Sequence, residues 1–252
     1  MELLTLIVIF FVTSIVSVVT GSTSLITVPI MLQFGIEPRS AIATNMLALT
    51  LMSLGGSFSF RGRNVIDQRR MPLLIILTMA GSTLGALLLL VIPSKTMPAI
   101  ISILMIGVVF FSLVRRDAGV SPAGCQKSPV LEPIGYAVTF VLGIYGGFFS
   151  GGYVTILTAA FVALFGLTYL QAVATTKAVN VFSSLVATVI FIYRGLVDYR
   201  LGIVLGIVMF VGGIIGGRVA LKLSNLWLRR IFLAVVVALA LKILVYDLFQ
   251  PN

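Results

Sequence analysis

Two short segments rich in glycine and hydroxyl side chains interrupt apolar stretches of this chain, at Gly21-Ser22-Thr23-Ser24 and at Phe149-Ser150-Gly151-Gly152. A helix that begins after such a break leaves its first backbone N–H groups unpaired and carries a partial positive charge there. Glycine permits close approach to a ligand, and the hydroxyls add donors. Two such helix ends facing each other would form a site for a small anion. The plainer alternative is two ordinary tight turns in which serine caps the next helix.

Polar residues near the start of two later apolar segments would complete such a site. Lys177 lies about two turns inside its segment, and an intramembrane charge indicates function unless it snorkels to the nearby interface. Asn180 shares a helical face with Lys177, three residues away. No acidic residue falls deep inside an apolar segment, so a carboxylate site for Na⁺ or protons is not favoured. The predicted binding residues are Gly21, Ser22, Thr23, Ser24, Thr44, Asn45, Ser150, Gly151, Gly152, Thr175, Thr176, Lys177 and Asn180.

Composition restricts the class of protein. Of 252 residues, 60% are hydrophobic and only 10% are charged, against about 25% charged in soluble domains. Such a surface predicts an all-α integral membrane protein, in contact with the lipid bilayer. The net charge of +10 is attributed to Lys and Arg in cytoplasmic loops, not to nucleic-acid binding. With no histidine, one cysteine and no nucleotide or hydrolase motif, we expect no metal site, no cofactor and no enzyme activity.

The apolar pattern predicts ten helical segments, about eight full transmembrane helices and two short ones that are broken or re-entrant. The short segments, 23–34 and 152–165, reach only about 18–21 Å at 1.5 Å per residue, against a hydrocarbon core of roughly 30 Å. The sequence leaves open whether they cross the membrane. The ten segments are 3–19, 23–34, 40–60, 71–92, 97–114, 131–149, 152–165, 171–193, 201–222 and 228–248.

The chain is predicted to be one transmembrane domain, residues 1–252, made of two repeats. Repeat 1 covers 1–117 and repeat 2 covers 131–252, with a cytoplasmic linker at 118–130. The halves align without a gap from Phe34 to Gly217 at an offset of 131 positions, including an Arg-x3-Asp-x-Arg turn and a Gly-x3-Gly helix. Equivalent loops carry opposite charge bias, which predicts an inverted two-fold repeat. The glycines of each Gly-x3-Gly, Gly81 with Gly85 and Gly212 with Gly216, are expected to let helices pack closely.

At these residues the chain resembles the TauE/SafE family of sulfite exporter-like membrane proteins. That family repeats a glycine-rich break, a short helix with Val-Pro, a loop with proline, an Ala-x-Ala-Thr segment and a turn ending in aspartate. The first half here carries Gly21–Pro29, Phe34–Pro38, Ala41–Asn45 and Arg63–Asp67, and the second half carries Gly146–Tyr153, Ala172–Lys177 and Arg194–Asp198. The resemblance implies transport of a small sulfur-containing anion, such as sulfite or an organosulfonate, across a prokaryotic plasma membrane.

We therefore expect a multi-pass secondary transporter, an exporter or permease that works by alternating access on a small anionic substrate. Two alternatives remain open: a passive small-anion channel with the same pore chemistry, and a non-transporting membrane scaffold. The sequence does not indicate which anion is carried, the direction of transport, whether H⁺ or Na⁺ is a coupling ion, or the oligomeric state.

Overall fold

The computed structural model describes residues 2–21, 23–114, 131–224, 227 and 230. Ser22, the linker at 118–130 and the predicted segment at 228–248, apart from Arg230, lie outside the described residues. Within the described part the chain forms helices and short turns, without strands. The helices are α1 (Glu2–Thr20), α2 (Ser24–Gln33), α3 (Pro38–Phe60), α4 (Met71–Val91), α5 (Met97–Val114), α6 (Leu131–Phe148), α7 (Tyr153–Phe165), α8 (Tyr169–Tyr193) and α9 (Tyr199–Lys222).

Side-chain caps set several helix starts. Before α8, the hydroxyl of Thr168 accepts from the backbone N–H of Gln171, whose side chain in turn accepts from the N–H of Thr168. This reciprocal pair satisfies two N–H groups that the helix cannot pair itself. Asp198 caps α9 in a related way, accepting from the N–H of Leu201 at 3.0 Å. The described helices begin within about two residues of the predicted segments, including α2, α4 and α7, which start without a side-chain cap.

Six described helices are long and apolar enough to cross a membrane: α1, α3, α4, α6, α8 and α9. The two predicted short segments are short helices, α2 with 10 residues and α7 with 13. A third apolar stretch, Ser94–Val108, leads into α5, whose 18 residues end at Val114. The fold is thus an all-helical bundle of membrane-spanning type, and the count of about eight full spans stays a prediction.

Helices α3 and α8 lie antiparallel at the centre of the bundle. Thr50 of α3 shares a hydrogen bond of 3.2 Å with Thr188, and three residues later Ser53 accepts from Asn180 at 2.7 Å. Chain numbers rise along α3 as they fall along α8, which defines the antiparallel direction. Helix α9 packs on α3, and α4 packs on α8, with α1 and α6 outside them against α9 and α4. The central pair therefore carries the buried candidates Thr44, Asn45, Thr175, Thr176, Lys177 and Asn180.

Glycines allow the flanking helices to approach the backbone of their neighbours. A Cβ added to Gly85 of α4 would overlap the carbonyl oxygen of Ile144 in α6. A Cβ added to Gly216 of α9 would overlap the carbonyl oxygen of Ile15 in α1. Both Gly-x3-Gly helices pack as predicted, since only a residue without a side chain permits such contacts.

Candidate functional site

The two predicted breaks meet inside the bundle. Gly21, with φ of +72°, lies against Val154 and the backbone N–H of Thr155 in the first turn of α7. In the opposite direction, the hydroxyl of Thr155 donates to the carbonyl oxygen of Thr20 at 2.6 Å. Gly152 also has positive φ, +77°, a backbone conformation that favours glycine. The starts of both short helices are therefore brought together, as an anion site between two breaks requires.

A buried polar cluster of three residues joins the first break to α3. The amide of Asn45 donates to the hydroxyl of Ser24 at 2.9 Å, and the hydroxyl of Thr27 donates to the Asn45 amide oxygen at 2.8 Å. Ser24 also contacts the hydroxyl of Ser150 in the second break, at 3.4 Å. The sequence reasoning missed Thr27. Its position one helical turn after Thr23, on the same face, was the available signal.

The equivalent position in the second half does not have its hydrogen bonds satisfied in this way. Thr176 is related to Asn45 by the offset of 131 positions, and its hydroxyl is fully buried without a hydrogen-bond partner in the described structure. Buried polar groups are nearly always hydrogen-bonded, so this open hydroxyl calls for an explanation. One turn further along α8, Asn180 is occupied by its bond to Ser53.

Lys177 is the one fully buried charged side chain among the described residues, with 1% of its surface exposed. Its Cδ atom lies near Gly56 of α3, at 3.9 Å from the position that a Cβ there would take. The ion pairs in the described structure involve Arg70 and leave Lys177 without a carboxylate. Burial and the contact with α3 place this side chain inside the bundle, so the snorkelling alternative does not describe it.

Two predicted site residues tie the halves together at their ends. The hydroxyl of Thr44 accepts the backbone N–H of Asp198, and the hydroxyl of Thr175 accepts the N–H of Asp67, both at 3.0 Å. The two contacts are equivalent, because Thr44 and Thr175 are 131 positions apart, and so are Asp67 and Asp198. Both hydroxyls are therefore held by backbone groups, and their predicted role as substrate ligands stays a prediction.

The remaining predicted residues line the junction of the breaks. The Thr23 hydroxyl donates to the sulfur of Met52 at 3.6 Å. The Gly151 carbonyl accepts from the hydroxyl of Tyr145, and Gly151 packs against Phe149. Ser22, also predicted here, lies outside the described residues.

Arg70 fastens one end of the bundle. Its guanidinium donates to Asp67 at 2.6 Å and to Glu132 at 2.8 Å, and it stacks over the ring of Phe165 at 5.0 Å. Partial burial lowers the pKa of Arg70, but the hydrogen bonds to both carboxylates outweigh it, so the pKa lies above its ordinary value. Leu201 holds the equivalent position in the second half, so this bridge exists at one end only.

The assembled groups are hydroxyls, amides, helix starts and one ammonium, all suited to donate hydrogen bonds to an anion. Among the described residues, no three side chains of His, Cys, Asp or Glu come together to hold a metal ion. The buried interior therefore offers donor chemistry with a single positive charge.

Comparison with known proteins points to one family. The chain matches the family model described as Sulfite exporter TauE/SafE over residues 6–243. A Sinorhizobium protein named as a probable membrane transporter is 28% identical over 236 residues, covering 93% of this chain and 89% of that protein. A similarly named protein of Haemophilus influenzae is 29% identical over 213 residues, covering 84% and 81%. The probable transporter YfcA of Escherichia coli is 28% identical over 229 residues, covering 91% and 84%. No solved structure matches the chain.

Proposed function

Since the chain belongs to the sulfite exporter TauE/SafE family of membrane transport proteins, we propose that it is a secondary transporter of a small sulfur-containing anion. Sulfite or an organosulfonate would be moved by alternating access across a prokaryotic plasma membrane, by an exporter or permease. The donor chemistry between α2, α3, α7 and α8 supports an anion as the substrate.

The observation that carries this proposal is the unpaired, buried Lys177. Placing an ammonium in a low-dielectric interior costs several kcal/mol unless a counter-charge compensates it. The carboxylates of Glu37, Asp67 and Asp198 lie in turns at helix ends, and none of them contacts Lys177. A bound anion would supply the missing negative charge. This gives the lysine a role that a purely structural residue in an apolar bundle would not have.

The two halves differ in how far their buried polar groups are hydrogen-bonded, and this difference supports a location for the anion. In the first half, hydrogen bonds join Ser24, Thr27 and Asn45 to one another, so these side chains are held in place. In the second half, the hydroxyl of Thr176 is open and neighbours Lys177 on α8. We place the anion against α8, with Thr176 donating a hydrogen bond and the helix starts at the two breaks adding partial positive charge.

The paired contacts at the bundle ends support the inverted repeat that alternating access would use. The contact of Thr44 with Asp198 and that of Thr175 with Asp67 are the pair that a two-fold axis in the membrane plane would exchange. An opening motion at one end would then have an equivalent motion at the other end, with the site between them.

The test is flux in proteoliposomes, offering sulfite, sulfate, thiosulfate, sulfoacetate, taurine and a simple carboxylate, with and without a pH gradient. We expect saturable uptake of one sulfur anion that accelerates when unlabelled anion is present on the far side. Lys177→Met should reduce that flux by more than about 100-fold, because losing one partner of a buried charge pair costs about 3–5 kcal/mol.

Lys222→Met is the matched control, because Lys222 is exposed in the last turn of α9. The flux of this variant should equal that of the wild-type protein. Lys177→Arg keeps the charge and should retain part of the activity. Uptake far above transporter turnover without counterflow would indicate a channel instead. Unchanged flux in Lys177→Met would remove the lysine from the site.

A further inference from the structure

A pocket of about 330 Å³ lies at the end of α3, away from the buried site. Its lining includes Leu54, Ser57, Phe58 and Arg61, which follow one helical face at spacings of three and four residues. Residues of the following turn, among them Asn64, close it from the other side. Asn64 has a positive φ of +52°, in the left-handed region of backbone conformation.

The pocket combines an apolar wall with free polar groups. Leu54 and Phe58 are exposed on the outer surface of the bundle, 41% and 61% respectively, where acyl chains would contact a membrane protein. The buried hydroxyl of Ser57 has no hydrogen-bond partner in the described structure. The exposed Arg61 makes no ion pair with the described part of the chain, in contrast to Arg70 nearby.

The charge of this region is unbalanced. The lining contains arginine, serine, asparagine and glutamine but no carboxylate among the described residues. Asp67, the acid of the same turn, is already engaged by Arg70. A ligand that suits the pocket therefore carries a negative headgroup for Arg61 and Ser57, and an apolar tail for Leu54 and Phe58. The position at the end of the span Pro38–Phe60 is where lipid phosphates and acyl chains meet.

We propose that this pocket binds one phospholipid with a net negative headgroup, with its phosphate at Arg61 and an acyl chain along Leu54 and Phe58. The second half lacks the polar set. At the offset of 131 positions, Arg61 corresponds to Ile192 and Gln68 to Tyr199, while Ser57 corresponds to Thr188, which bonds to Thr50. The site therefore belongs to one leaflet, the cytoplasmic one if the arginine-rich turn lies inside.

The test is native mass spectrometry of the full-length protein in a non-ionic detergent, titrated with phosphatidylglycerol or phosphatidylcholine of identical acyl chains. We expect phosphatidylglycerol to bind more tightly. Arg61→Gln should weaken its binding roughly ten-fold, the effect of one charge-assisted hydrogen bond of about 1.5 kcal/mol. Ser57→Ala should weaken it in the same direction.

Arg63→Gln is the matched control, because it removes the same charge from the same turn at a residue outside the pocket. It should change the affinity by less than about two-fold, as expected of a screened surface charge. Equal losses in Arg61→Gln and Arg63→Gln would show diffuse attraction and overturn the site. Equal binding of both lipids would overturn the requirement for negative charge. Displacement of phosphatidylglycerol by inorganic phosphate alone would show a free-anion site instead of a lipid site.

Discussion

Asn45 and Thr176 occupy equivalent positions in the two halves, yet their surroundings differ in the number of partners. Asn45 is held by Ser24 and Thr27, whereas the hydroxyl of Thr176 is buried and open. A polar side chain whose partners lie within the protein stabilises the fold, while one without a partner can serve a ligand. We therefore propose that these equivalent positions divide the two tasks, with Asn45 stabilising the fold and Thr176 serving a ligand.

This contrast predicts opposite results for two substitutions. Asn45→Ala should lower the free energy of unfolding by about 1–2 kcal/mol, because it removes the two hydrogen bonds that Asn45 makes with Ser24 and Thr27 in a dry interior. Thr176→Val should change the free energy of unfolding by less than about 1 kcal/mol. It should weaken the binding of the transported anion roughly ten-fold. Unfolding in detergent and competition for flux measure the two effects, and Thr176→Ser should behave as wild type. Strong destabilisation by Thr176→Val would mean that its hydroxyl is structural.

At the scale of elements, the glycines decide which helices pack closely against each other. Gly85→Ala should lower the free energy of unfolding by about 1–3 kcal/mol, because its Cβ would overlap the backbone of Ile144 and separate α4 from α6. Gly107→Ala in α5 is the matched control, since a Cβ there meets no described atom within 4 Å. It should be neutral or stabilise by up to about 1 kcal/mol. Equal effects would contradict close packing at Gly85.

The elements themselves were largely predictable from the sequence, because membrane helices follow apolar length and their starts follow local caps. Segment 171–193 corresponds to α8, which starts at Tyr169 because Thr168 and Gln171 cap each other. The internal pairings were not predictable in the same way. Thr27 joins Asn45 across 18 positions and Asn180 joins Ser53 across 127, and such pairs depend on how whole helices pack. Whether Lys177 is buried or snorkels likewise depended on its neighbours in α3.

At the scale of the whole molecule, the proposed inverted repeat predicts that equivalent turns face opposite sides of the membrane. Arg63 and Arg194 are equivalent, exposed residues of those turns. With Cys125 replaced by serine, Arg63→Cys should react with a membrane-impermeant thiol reagent from one side of oriented vesicles, and Arg194→Cys from the other. Labelling of both from the same side would contradict the inversion, although the helical bundle would stand.

The contacts between halves also imply a delay during biosynthesis, because their two partners are synthesised at different times. Asp198, the partner of Thr44, lies 154 positions later in the chain, and Asn180, the partner of Ser53, lies 127 positions later. At roughly 5–20 residues per second, a ribosome needs roughly six to thirty seconds to supply these partners. Throughout that interval, α3 lies in or beside the bilayer with polar groups that hydrocarbon cannot satisfy. We therefore expect the nascent first half to stay with the insertion machinery until the second half arrives, so that the pace of translation affects how this bundle closes.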